Sequence, residues 1–160
     1  MPSPATPATP ATASGVVRRA ALAEIDPRTV YLLAKLRQDV FTLEQHATDA
    51  DLDGRELEPG TEIMWLEDPD PVAHLRVLRE ADGTVRIGRV AVRADRRRGG
   101  FGRRLMTAAL EHVRATAPEA EVHIDAQAYL EPWYASMGFE TVGGVFMEAG
   151  IEHVAMVLRR

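Results

Sequence analysis

The sequence predicts a mixed α/β domain, a single sheet with helices packed against it. Three observations carry this. Short β-branched runs alternate with amphipathic helical stretches in the order strand–helix–strands–helix–strand–helix–strand–strand. The turn Ala81-Asp82-Gly83 joins two of the strands as a hairpin. The second of these, Ile87-Gly88-Arg89-Val90-Ala91-Val92, feeds a Gly-rich turn that opens a helix. With 160 residues, 46% of them hydrophobic and 27% charged, the chain has the size and composition of one globular domain with a proper core.

Taken in order, residues 1–15 are low-complexity: Pro-Ala-Thr occurs three times between Pro4 and Thr12, and no apolar periodicity is present. This tail is expected to be extended and disordered, with the domain occupying 16–160. The tail lacks the basic start and long apolar stretch of a secretory signal, so a cytoplasmic protein is expected. Val16 to Ile25 is β-rich and predicts the first strand. Asp26-Pro27 is a good N-cap and N1 pair, and the helix that follows sets Val30, Leu33, Leu36, Val40, Phe41 and Leu43 mostly on one face. Acidic, Gly-containing sequence fills 48–60, and strands are predicted at 61–67, 72–80 and 84–92. A helix from about Gly100 to Thr116 would bury Leu105, Met106, Ala109, Leu110 and Val113 before Pro118 blocks its extension. A strand at 121–126, a short helix ending at Gly138, and strands at 139–146 and 152–158 complete the domain.

The Gly-rich turn is a physical recipe for holding a pyrophosphate. The first turn of a helix presents unpaired N–H donors and the positive end of the macrodipole. Glycines let that backbone approach phosphate oxygens closely, and arginines add charge-assisted donors. A P-loop would need a longer Gly-to-Gly spacing and a Lys-Ser/Thr pair, and a dinucleotide fingerprint would need glycine near Leu105; both fit worse. A strand–turn–helix junction with a merely solvated arginine patch is the plain alternative.

Arg97-x-x-Gly100-x-Gly102 resembles the acetyl-CoA pyrophosphate loop of the GNAT superfamily of N-acetyltransferases, and Tyr134-x-x-x-Gly138-Phe139 resembles that family's second CoA-binding signature. Arg37 to Gln45, Asp51-Leu52-Asp53-Gly54, Asp125 to Ala128 and Gly150 to His153 are similar to the ElaA-like branch. The likeness runs from about residue 20 to the C-terminus. It implies a mostly antiparallel sheet with helices on both faces, whose central parallel strands splay apart around the cofactor. It implies acetyl-CoA as co-substrate and an unidentified primary amine as acceptor. Amides from Arg97, Arg98, Gly99, Gly100, Phe101, Gly102 and Arg103 would hold the pyrophosphate. Val90, Ala91 and Val92 would align the pantetheine through their backbone. Gln127 stands where many members carry an Asn that contacts the pantetheine; it offers the same amide from a longer arm. Tyr134 would protonate the departing thiolate, which suits a phenol of pKa about 10. Pairing into a homodimer is a further expectation, since members of the family often dimerise.

An amine acceptor is mostly protonated at neutral pH, so a general base is expected. Glu44 and His153 are the leading candidates because both lie in the segments that resemble the ElaA-like branch, and an unperturbed imidazole suits the task. His74 and His123, in predicted strands, read as structural. Arg89, mid-strand, reads as one half of an orienting ion pair with Glu44 or Asp125. Asp49-x-Asp51-x-Asp53-Gly54 imitates the start of a calcium loop, but its twelfth position is Gly60 rather than Glu, so no metal is expected. Asp51 and Asp53 read either as solubilising surface or as an attractor for a cationic amine. The chain has no cysteine, so an acyl-cysteine intermediate is excluded and direct transfer in a ternary complex is favoured. A net charge of −5 argues against nucleic acid as a partner, and no apolar run is long enough to span a membrane. The competing functional class is a non-catalytic CoA-binding sensor or interaction module on the same scaffold.

Overall fold

The structure, a computed structural model, describes residues 14–160. Most of the low-complexity segment lies outside the described residues. Ser14, near its end, donates through Oγ to Asp68 Oδ2 at 2.6 Å. Seven strands form one sheet: β1 (Val16–Ala20), β2 (Glu62–Glu67), β3 (Pro71–Arg79), β4 (Val85–Val92), β5 (Val122–Gln127), β6 (Glu140–Glu148) and β7 (Ile151–Leu158). Their spatial order is β1-β2-β3-β4-β5-β7-β6. All neighbours are antiparallel except β4 and β5. The helices are α1 (Pro27–Arg37), α2 (Phe101–Thr116) and α3 (Glu131–Ala135).

Period-two alternation on β2 shows that α1 and α2 lie on opposite faces. Met64 and Leu66 join the core under α2, with Leu105, Met106, Ala109 and Val113. Ile63 and Trp65 join a second core with Leu33 and Ile25, beneath α1. Leu105, Met106, Ala109 and Val113 are each at most 1% exposed. Burying a large apolar side chain of this kind contributes about 1.5–3 kcal/mol. The α1 start is capped as expected: Asp26 accepts from the Thr29 N–H at 3.0 Å, with Pro27 behind it.

Three local expectations are corrected. The first strand stops at Ala20, because residues 22–24 turn as a 3₁₀ segment whose Glu24 carboxylate accepts from the Ala21 N–H. The short helix before Gly138 divides into a 3₁₀ turn, Ala128–Leu130, and α3. The helical winding after α1 widens to a π-turn over Gln38–Glu44, closed by Gln45 N–H to Val40 O at 3.0 Å. The wider turn moves side chains around the axis relative to a regular helix. Leu43, placed on the apolar face by a 3.6-residue period, ends 59% exposed.

Candidate active site

The parallel pair β4–β5 makes only two register pairs, Val85↔Val122 and Arg86↔His123, after which the strands part. A cavity of about 1020 Å³ follows the opening, reaching from Arg86, Gly88 and Asp125 to the start of α2. Backbone groups past the last pair are left at an open edge, which must be satisfied by something other than a neighbouring strand. The Arg93 N–H donates to Val72 O at 2.8 Å. Two-residue alternation then turns Ala91 towards β3 and leaves the amides of Val90 and Val92 facing the cleft. The register between β3 and β4 also shifts: Arg89 and Val90 together oppose Leu75, a bulge in which Arg89 takes φ +52°.

At the other end lies the Gly-rich turn. Gly100 is the N-cap of α2 at φ +82°, a left-handed conformation that suits glycine. The Arg104 N–H, donating to Gly100 O at 3.0 Å, makes the first bond of the helix ladder, so the amides before it point at the cleft without an intrahelical acceptor. Gly102 permits a close approach: a Cβ there would lie 3.2 Å from Val92 Cγ2 and 3.5 Å from the Trp133 ring. A Cβ on Gly99 would lie 2.9 Å from the Phe101 ring. The Arg103 guanidinium rests over Trp133 and donates to Ser136 Oγ at 2.7 Å. Arg97 is engaged by its own protein. Its guanidinium forks onto both Glu44 oxygens, at 2.5 and 3.0 Å, and its Nε donates to Val92 O.

Of the residues singled out in sequence, Val90, Ala91, Val92, Arg97, Arg98, Gly100, Phe101, Gly102, Arg103, Gln127, Tyr134 and His153 all line this cavity. Glu44 instead lines a smaller cavity of about 320 Å³ beside it, with Asp39 and Arg93. Gly99 sits behind the Phe101 ring. Tyr134 is 5% exposed and packs edge-on against Trp133 and Phe139. Burial, helped by the nearby Tyr129, pushes its phenol well above the ordinary value. Gln127 donates to Gln45 Oε1 at 2.7 Å and stands opposite His153 across β5–β7. His153 is 7% exposed and stacks on Phe146. Its Nδ1 lies 2.7 Å from Ile151 O and must donate to it, so Nε2 is the ring nitrogen left to meet another partner. The Glu148 carboxylate lies 3.7 Å from Nε2.

A family model described as an acetyltransferase (GNAT) domain matches residues 22–160. The chain belongs to this GNAT acetyltransferase family. A UPF0039 protein of Mycobacterium tuberculosis is 40% identical over 146 residues, covering 88% of this chain and 91% of the relative. The crystal structure of Escherichia coli ElaA superposes with a TM-score of 0.83 at 31% identity, covering 90% of this chain and 99% of that one. An acyl-CoA N-acyltransferase from Pseudomonas aeruginosa superposes with a TM-score of 0.84, also at 31% identity and with the same coverage. The protein is thus a GNAT-fold acetyltransferase of the ElaA-like branch, and the reading as a non-catalytic module is set aside.

In and behind one wall of the cleft this acetyltransferase carries a charge cluster whose pairing sequence reasoning missed. Arg37, 3% exposed, bonds Asp51 Oδ2 at 2.9 Å, Asp51 O at 2.7 Å and Glu56 Oε1 at 2.5 Å. Arg76 forks onto Asp53 at 2.6 and 2.7 Å and reaches Glu56 at 3.0 Å. Arg89 bonds Asp51 O and lies 3.0 Å from Asp51 Oδ1 and 3.4 Å from Asp53 Oδ2. The expected partners of Arg89, Glu44 and Asp125, are instead held by Arg97 and Arg86. Three guanidiniums face three carboxylates, so Asp51 and Asp53 line the cavity, as a loop at an acceptor site would, but with their charge already met by arginines. The hydrogen bonds from Arg76 hold the Asp53 carboxyl far below its usual range. For Glu56 burial is the largest single effect and pushes upward, but the charge and hydrogen bond of Arg37 together with the charge of Arg76 outweigh it and lower the carboxyl. Arg89 was legible as half of an ion pair, but its partners were hinted at only by the spacing Asp51-x-Asp53, which equally imitates a calcium loop. Among the described residues, no group of three or more His, Cys, Asp or Glu could hold a metal ion, and no helix is long and apolar enough to cross a membrane.

Proposed function

We propose that the protein transfers an acetyl group from acetyl-CoA directly to a primary amine within a ternary complex. The observation that carries this is the parting of β4 from β5 after two residues, directly beside a glycine-capped helix start. One end of the opening offers helix N-terminal amides and arginines, which suit a pyrophosphate; the other offers the strand amides of Val90 and Val92, which suit the amide groups of a pantetheine arm. The P. aeruginosa structural neighbour is named as an acyl-CoA N-acyltransferase, which supports the same donor here. Arg98, Phe101, Gly102 and Arg103 line the pyrophosphate end, and Gln127 takes the position of the pantetheine-contacting amide.

Tyr134 is the proton donor to the thiolate. The phenol is neutral and proton-bearing at physiological pH, as a tyrosine ordinarily is; burial makes it a weaker acid, so it gives the proton up only as negative charge develops on the sulfur when the C–S bond breaks. His153 is the base that takes the amine proton: its Nδ1–H is committed to Ile151 O, which leaves Nε2 as the nitrogen that could accept it, and its ring lines the same cavity as Tyr134. Glu148 would steady the imidazolium formed by that transfer. Glu44 is already spoken for by Arg97, and its role is to hold the loop arginine against the end of β4.

Calorimetric titration with acetyl-CoA tests the donor. Micromolar binding by the wild type, abolished in a folded variant with bulky residues at Gly100 and Gly102, is expected. An absence of wild-type binding would sink the proposal. A panel of amines, assayed by thiol release, then identifies the acceptor.

A further inference from the structure

The β4 bulge raises an accounting question. Where two residues of one strand oppose one of the next, a backbone group loses its ladder partner. Arg89 sits at that point, in a left-handed conformation that non-glycine residues rarely adopt, and its carbonyl needs a donor from elsewhere. The donor is a side chain: His74 Nδ1, on β3, lies 2.7 Å from Arg89 O. His74 is 1% exposed and pairs across the ladder with Ala91.

We propose that His74 is a positioning residue for the acyl-CoA, whose Nδ1–H holds the Arg89 carbonyl and so fixes the bulge that aims the Val90 and Val92 amides into the cleft. This rests on the reading of that cleft as the acyl-CoA site. The tautomer is dictated by the contact, because a carbonyl oxygen accepts and the ring must therefore donate. The ring is neutral: burial, together with the charges of Arg37 and Arg76, outweighs the attraction of Glu56 and the hydrogen bond to Arg89 O, and depresses its pKa to about 3. A single imidazole proton is thus committed to one backbone carbonyl. The side chain of Arg89 is fastened independently, by Asp51, so both ends of the residue are held. A histidine serving only to fill the core could be replaced by leucine without consequence for the cofactor, and there the two roles separate.

Three variants, His74→Leu, His74→Asn and His74→Gln, are compared with wild type by acetyl-CoA calorimetry and thermal unfolding. The amide nitrogen of Asn occupies the bond position of Nδ1, whereas that of Gln corresponds to Nε2. Acetyl-CoA affinity is expected to fall on the order of tenfold in the Leu and Gln variants and to return to within about threefold of wild type in Asn, whatever the order of their melting temperatures. If the Leu variant does not fold, Asn against Gln decides. Asn binding no better than Gln, or a folded Leu variant binding like wild type, overturns the inference and leaves the acyl-CoA reading standing. A wild type that binds no acetyl-CoA overturns both. Nitrogen-15 spectra of the wild-type imidazole should show a protonated Nδ1 and a bare Nε2; the reverse tautomer also overturns the inference.

Discussion

Two groups of arginines border the same cleft and differ in what they can offer it. Arg96, Arg97, Arg98 and Arg103 surround the start of α2, partly or fully exposed, and Arg98 has no side-chain partner among the described residues. Arg37 and Arg76, nearly fully buried, are held by Asp51, Asp53 and Glu56, with the half-buried Arg89 beside them on the same carboxylates. An exposed guanidinium can exchange its partner for a phosphate at little cost. A buried one cannot, because each bond it gives up leaves a carboxylate uncompensated at low dielectric. A count of arginines near a cavity therefore says little about anion binding until their partners are known.

The sharpest way to break this contrast is stability. Arg37→Ala leaves Asp51 and Glu56 short of a partner and should cost about 3–5 kcal/mol in urea unfolding. Arg98→Ala should stay within about 0.5 kcal/mol, as for a surface change. Comparable losses in the two variants would mean that burial does not separate the groups. Next in size, Tyr134→Phe should lower kcat on the order of a hundredfold while acetyl-CoA affinity holds, since only the reaction needs the phenolic proton. An equal loss in binding would make Tyr134 a packing residue.

Acid titration distinguishes the groups further. The His74 pKa is about 3 when folded against 6.5 for the free group. Between those values the unfolded chain binds a proton that the native state refuses, so stability falls as pH drops below about 6.5. Asp53 and Glu56 are depressed carboxylates, whose contribution is present above their free values of 3.8 and 4.5 and is lost only as pH falls through the lower folded values. Unfolding measured from pH 7 to 3 should thus show an early decline, absent from His74→Asn, before the carboxylates begin to protonate. A profile unchanged by that substitution would contradict a neutral buried ring.

How much of this was legible beforehand depended on the range of the interaction. Strands, α2 and the Gly100/Gly102 turn follow from period and local backbone chemistry, which a sequence displays directly. The same is true of Gly138, at φ +98°, ending the segment that carries Tyr134. The cluster around Arg37 joins residues 14 to 38 positions apart, and no local pattern records which carboxylate each arginine meets. The π-turn was hidden for a different reason. Gln38 to Glu44 contains no glycine or proline, so the helical period reads straight through it, and the directions of Leu43 and Glu44 come out wrong. The bulge falls on Arg89, not on the glycine beside it, so its left-handed backbone had no marker either.

That displaced Glu44 sets the smallest and most discriminating test. Its pair with Arg97 is about 38% exposed on each side, and exposed pairs contribute no more than about 1 kcal/mol. If Glu44 only holds Arg97, Glu44→Gln should preserve kcat and its pH profile and change acetyl-CoA affinity by no more than about fivefold. The affinity change has a defined sign: an arginine released from its carboxylate is freer to meet a phosphate, so binding should tighten at low salt and the gain should fade as salt screens it. His153→Gln, by contrast, removes the lone pair assigned to the amine proton and should lower kcat with affinity unchanged. If the two variants exchanged these behaviours, the base would be Glu44, and acetyl-CoA would have to draw Arg97 away before the acceptor could lose its proton.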